Sequence, residues 1–154
     1  MWILAWVGVL WDNIYMNIFQ RVEKGADDIV FVYTICGSIE EARSMGYSSV
    51  QEKLAISMDY WVIHSIYPWQ NVIQEIDQYM LMFSTQKDLS DKLVKHLESE
   101  HSYKIPMIAK CNIAMTNLPY SLWVNDILDS DEKYETLAEI KNEKGDINSL
   151  RNLK

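Results

Sequence analysis

The sequence predicts a single small α+β domain of strand–helix–strand–strand–helix–strand order over residues 29–128. Three observations carry this reading. A β-branched and aromatic run, Ile29 to Ile35, is followed by a turn and a helical apolar pattern. Two long apolar runs are separated only by Pro68-Trp69-Gln70-Asn71, which predicts an antiparallel hairpin. A second helix with one apolar face then leads into a fourth strand-like run, Ile105 to Met115.

The elements follow in order. The Ile29–Ile35 run is almost wholly apolar, the mark of a central strand covered on both faces. Cys36-Gly37-Ser38 makes a turn with Ser38 as N-cap, and Glu40 and Glu41 fall where the helix dipole favours negative charge. The helix continues to about Ala55, weakened by Gly46 and by Ser48-Ser49. The hairpin strands span Ile56 to Tyr67 and Val72 to Thr85. Strands of this length outreach a small domain and call for something to pair with. Asp88 or Ser90 caps the next helix, whose apolar face is Leu89, Leu93, Val94 and Leu97 and whose end is near His101. Pro106 sits near the start of the fourth strand. Asn117-Leu118-Pro119 opens a short helix through Leu128.

Two appendages flank this domain. Residues 1–28 form an apolar N-terminal extension, MWILAWVGVLW followed by IYMNIF. The uninterrupted run is shorter than a membrane-spanning helix requires. It lacks the basic start of a secretory signal. Three readings stay open: a helix packed on the domain or a neighbouring subunit, a membrane contact through residues 1–19, or a poorly ordered extension. Residues 129–154 form a charged tail, partly helical, in which Tyr134, Leu137, Ala138 and Ile140 share a thin apolar face.

The chain of 154 residues is 49% apolar, enough for a real core, and carries six Trp and nine Tyr. Such aromatics suit partner surfaces as well as cores. A net charge of −8 without a basic stripe argues against a nucleic-acid partner. Two cysteines, Cys36 and Cys111, without a CxxC pair fit a reducing, cytoplasmic setting.

No phosphate-binding glycine loop, HExxH, GxSxG or paired-cysteine zinc pattern occurs. His96 and His101 are five apart, off the spacing that puts two ligands on one helix face, and His64 lies in a predicted strand. Cys36 and Cys111 lie on strands that a folded sheet brings near each other, and thiolates favour soft metals such as copper. Burial as a small hydrophobe is the commoner fate of a cysteine. Carboxylates are scattered over helix faces, with no nucleophile–base pair, so the chain reads as a binding protein and not an enzyme.

The segments FVYTICGSIEEAR, QEKLA, HSIYPWQNVIQE, LMFSTQ, HSYKIP and NLPYSLWV, in this order from Phe31 to Val124, resemble the CutA family of divalent-cation-tolerance proteins. The most specific pieces are Ser65 to Gln70, the His101-x-Tyr103 pair with Ile105-Pro106, and Asn117-x-Pro119-Tyr120-x-x-Trp123. The resemblance implies a ferredoxin-like βαββαβ sandwich with a long hairpin and a C-terminal helix, related in shape to PII signalling proteins. It implies a non-catalytic homotrimer associated with divalent metal, copper above all. It points to Cys36 and His101 as metal ligands, to Tyr103, Trp69 and Lys104 as pocket residues, and to Tyr67, Trp69 and Trp123 as trimer contacts.

Departures from the family pattern leave two other functions open. Ser57 stands where the family usually has Cys, and Ser84 where it has Lys. Lys104 and Met107 replace two family carboxylates, and Lys104 would oppose a bound divalent ion by like-charge repulsion. The alternatives are a trimeric scaffold or membrane-associated anchor whose metal site has degenerated, and a PII-like sensor of a small ligand.

Overall fold

The computed structural model describes residues 28–134. The expected apolar extension and most of the charged tail lie outside them. Seven elements follow one another: β1 (Ile29–Cys36), α1 (Ile39–Gln51), β2 (Ser57–Trp69), β3 (Val72–Gln86), α2 (Lys87–Glu100), β4 (Ile108–Asn112) and α3 (Leu118–Leu128). The strands form one antiparallel sheet of order β2-β3-β1-β4, the α+β, ferredoxin-like arrangement expected.

The sheet is two-faced because strand side chains alternate. Val32, Cys36, Leu81 and Phe83 point to the helical side and are buried with Ala42 and Met45 of α1 and Leu93 and Leu97 of α2. On the opposite face Phe31, Tyr33 and Ile35 are only half-buried. β1 is therefore central but covered by its own chain on one side, not on both. A second cluster docks α3: Val124 and Leu128 pack on Ile29, with Ile56, Leu89 and Tyr120 around them. The buried Gln86 Nε2 donates to Asn125 Oδ1 at 2.8 Å in the same region, pairing two buried amide side chains.

Local chemistry sets the boundaries. Ser38 Oγ accepts from Glu41 N at 3.2 Å and caps α1, as expected. That helix stops at Gln51 rather than near Ala55, because Lys53 takes φ 56° and the chain turns back. The hairpin loop is tighter than Pro68 to Asn71. Only Gln70 and Asn71, both at positive φ (49° and 63°), lie between the strands, as a two-residue turn requires. Pro68 lies within β2, an edge strand that tolerates a missing N–H. Neither Asp88 nor Ser90 caps α2. Gln86 holds the cap position, and Ser90 Oγ donates to Lys87 O at 2.7 Å instead. β4 keeps five residues of the expected run because it pairs only along Val30–Thr34.

The expected approach of the two cysteines is not found. Cys111 pairs in register with Phe31 and is exposed, whereas Cys36 lies five residues further along β1 and faces the helices. An odd separation along a strand puts them on opposite faces.

Candidate functional site

Three segments converge at the C-terminal end of β1. β1 delivers Cys36, the first turn of α1 delivers Glu41, and the loop after α2 delivers His101 and Tyr103. His101 is the C-cap of α2 in extended conformation, which swings its ring away from the helix and over β1. Its side chain is fully buried. Nε2 lies 3.0 Å from Ile35 O, and Nδ1 accepts from Tyr103 N at 3.0 Å. One neutral tautomer, protonated on Nε2, satisfies both bonds; it is assigned from this network. Glu41 Oε1 accepts from Ser102 N at 2.8 Å and stands 3.5 Å from His101 Nδ1. The loop is thus tied to the sheet by side chains that bond backbone groups.

Tyr103 closes the cluster. Its ring lies 5.0 Å from that of His101, and its hydroxyl accepts from Gln78 Nε2 at 2.7 Å. A β-carbon at Gly37 would stand 3.0 Å from the Tyr103 hydroxyl, so the backbone there is kept bare for the phenol. Burial raises the Tyr103 pKa, the Gln78 bond opposes this, and Tyr67, Glu41 and Cys36 add to the rise. The Cys36 thiol donates to Ser38 O at 3.4 Å. Burial pushes it up to about 11; the backbone contact at Ser38 offsets part of the effect and the Glu41 carboxylate adds to it. At neutral pH the thiol holds its proton, the opposite of an activated nucleophile.

A thiol and an imidazole are the right donor types for copper. Their present state does not fit a resident ion. Both His101 nitrogens are committed to the backbone, the Cys36 sulfur is protonated, and the described residues hold no cluster of three or more His, Cys, Asp or Glu side chains able to cage a metal. Metal ligands must be deprotonated and have a free lone pair.

The sequence-predicted residues are therefore divided. Cys36, His101 and Tyr103 meet. Tyr67 is within electrostatic reach of Tyr103. Lys104 is exposed beside the cluster. Trp69 stands at the hairpin tip, 54% exposed, and Trp123 lies on α3 against Tyr120 with ring centroids 5.8 Å apart. Sequence reasoning missed Glu41 and Gln78. Glu41 reads as a dipole-favoured residue of a first turn. Gln78, 4% exposed, gives only the weak signal of a polar side chain inside a strand.

A family model described as CutA1 divalent ion tolerance protein matches residues 30–127. The chain belongs to the CutA1 family. It is similar to the chloroplastic CutA 1 of Oryza sativa, 28% identical over 98 residues that cover 63% of this chain and 55% of that one. It is also similar to the divalent-cation tolerance protein CutA of Thermococcus kodakarensis, 25% identical over 101 residues covering 66% and 97%. A crystal structure of CutA1 from Oryza sativa superposes with TM-score 0.63 at 25% identity, over 72% of this chain and 98% of that one. This chain thus spans little more than half the length of its plant relative. Among the described residues no helix is long and apolar enough to cross a membrane.

Proposed function

We propose that this CutA-family chain works as a non-catalytic homotrimer in divalent-cation tolerance, placed in a reducing, cytoplasmic setting by its two free thiols. One observation carries the trimer: the outer half of the hairpin has no partner of its own. β1 covers β3 only from Tyr79 to Gln86, so Val72 to Gln78 pair with β2 alone. The register puts Ile66 and Ile73 on one face of this ribbon, 69% and 75% exposed. Trp69, Val72 and Ile76 stand on the other. A two-stranded ribbon apolar on both faces is unstable in water and marks an interface. Tyr67, Trp69 and Trp123 are the aromatic contacts we assign to it. Light scattering tests this: the expected mass is three times the 18.1 kDa of the chain, and a monomer at micromolar concentration refutes it.

A second reading, copper held by Cys36 and His101, is favoured by the seating of His101 on Ile35, the residue next to Cys36. It requires the thiol to ionise and the ring to leave its backbone partners. Calorimetric copper titration of the full chain against a Cys36→Ser, His101→Ala double variant tests it. Equal binding by the two removes the site.

A further inference from the structure

On the helical side of the sheet a groove of about 400 Å³ runs between α1 and β2, lined by Arg43, Gly46, Tyr47, Val50, Met58 and Tyr60. It shares no lining residue with the Cys36–His101 cluster. Gly46 shapes the floor. A β-carbon there would stand 2.2 Å from Met58 Cε, so the end of that thioether lies against bare helix backbone. Val50 and Met58 supply the apolar surface, and an unbranched, polarizable methionine adapts to the shape of a guest. β2 is an edge strand, so among the described residues no further strand closes the outer side.

The rim is polar. Tyr47 and Tyr60 are 52% and 41% exposed, so each ring is open to solvent as well as to the groove. The Tyr60 ring lies beside that of Tyr79, with centroids 6.5 Å apart. Arg43 is exposed on α1, and its guanidinium has no hydrogen-bond or ion-pair partner among the described residues. Apolar walls with a few polar groups are the usual make-up of a small-molecule site. At the roughly 30 Å³ that each water takes in the liquid, the space admits about a dozen non-hydrogen atoms. One unpaired guanidinium calls for a planar, two-oxygen anion, which it grips through two parallel N–H bonds. A second negative charge would find no second cation. The other lining residues are neutral, and Glu40 stands one turn before Arg43 on the same helix.

We propose that the α1–β2 groove binds a medium-chain aliphatic monocarboxylate, with its carboxylate on Arg43 and its chain along Val50 and Met58. Size, charge and apolar floor agree on this class of ligand. Tyr47 and Tyr60 flank the chain and offer hydroxyl donors without adding charge.

Titration of the full chain, carrying ¹³C-methyl methionine, with decanoate tests the proposal by magnetic resonance. The Met58 methyl reports the groove, and the Met80 and Met82 methyls report the opposite face of the sheet. Decanoate is expected to shift the Met58 signal to saturation and to leave the other two in place. Arg43→Gln should weaken decanoate binding about tenfold, the worth of a hydrogen bond to a charged group, and leave the weaker binding of decanol unchanged. Val50→Trp, which fills the trough, should abolish both, with the Met80 and Met82 signals showing that the fold is intact. A Met58 signal that does not move, or that moves only together with Met80 and Met82, overturns the site. Equal binding of decanoate by the Arg43→Gln variant, or decanol binding as tightly as decanoate, overturns the role of the guanidinium. Tighter binding of decyl phosphate than of decanoate overturns the assignment to a singly charged ligand.

Discussion

His101 Nε2 sits 3.0 Å from the carbonyl oxygen of Ile35, 66 positions earlier in the chain. The contact joins the end of α2 to the last residues of the central strand. It also fixes the tautomer, because Nδ1 is already accepting from Tyr103 N. A histidine that matches a family's metal-associated motif is here a buried brace between backbone groups.

Replacing His101 by Ala leaves the part-buried Ile35 carbonyl and Tyr103 N–H without these partners. Each orphaned group costs about 1–3 kcal/mol. The expected loss of stability is therefore about 2–6 kcal/mol, measured by urea unfolding. Faster hydrogen exchange should accompany it at Ser102 and Tyr103. His101→Gln, which can rebuild one of the two bonds, should lose less. A loss below about 0.5 kcal/mol for the Ala variant, the range of an ordinary surface substitution, would show that the brace is not needed.

Alkaline pH should destabilise the fold through Cys36. Its thiol ionises near 9.0 in the unfolded chain and near 11 in the folded one. Between these values the folded state keeps a proton that the unfolded state has released, so stability falls as pH rises. The fall is about 3 kcal/mol across the window and nothing from this group below it. The raised Tyr103 pKa acts in the same direction at higher pH. Denaturant unfolding at pH 8 and pH 11 checks this: Cys36→Ala should show a clearly shallower decline than the unaltered chain. Equal declines would rule out the buried thiol as the cause.

The elements were legible because their signals are local. Ser38 caps α1, the 3.6-residue pattern of Leu89, Leu93 and Leu97 marks α2, and the β-branched run of β1 marks a strand. The convergence of Cys36, His101 and Tyr103 came from the family resemblance, not from periodicity. What stayed hidden depends on contacts between distant segments. Glu41 meets Ser102 across 61 positions and Gln78 meets Tyr103 across 25. No pattern within a helix or strand encodes such a meeting. The opposite facing of Cys36 and Cys111 was hidden for the same reason, since it needs the β1–β4 register.

Gly46 is expected to be a packing requirement. A β-carbon there would lie 2.2 Å from Met58 Cε, the mobile end of a flexible side chain. In Gly46→Ala the better helix propensity, worth about 1 kcal/mol, opposes the cost of moving Met58. Gly46→Val adds bulk that Met58 cannot clear, and overpacking of this kind costs about 1–3 kcal/mol. A double-mutant cycle with Met58→Ala isolates the clash: part of the Gly46→Val loss should return when Met58 is shortened. Strict additivity of the two substitutions would mean that α1 and β2 separate without strain.

The hairpin turn offers the converse, a stabilising change. Gln70 and Asn71 both adopt positive φ. A side chain like that of Gln is disfavoured there by about 1 kcal/mol, whereas Asn tolerates it and Gly adopts it freely. Asn-Gly is the sequence that a two-residue hairpin turn of this hand prefers. Gln70→Asn with Asn71→Gly should therefore raise stability by about 0.5–1 kcal/mol. The turn lies at the outer end of the ribbon that we assign to the trimer, so the gain has a second consequence. If assembly depends on a well-ordered hairpin, the thermal midpoint rises and the trimer dissociates at lower concentration than before. Calorimetry reads the first effect, and light scattering across a dilution series reads the second. A gain in thermal midpoint with unchanged dissociation would separate hairpin order from assembly. No gain in either would mean that the positive φ at Gln70 carries no penalty in this chain.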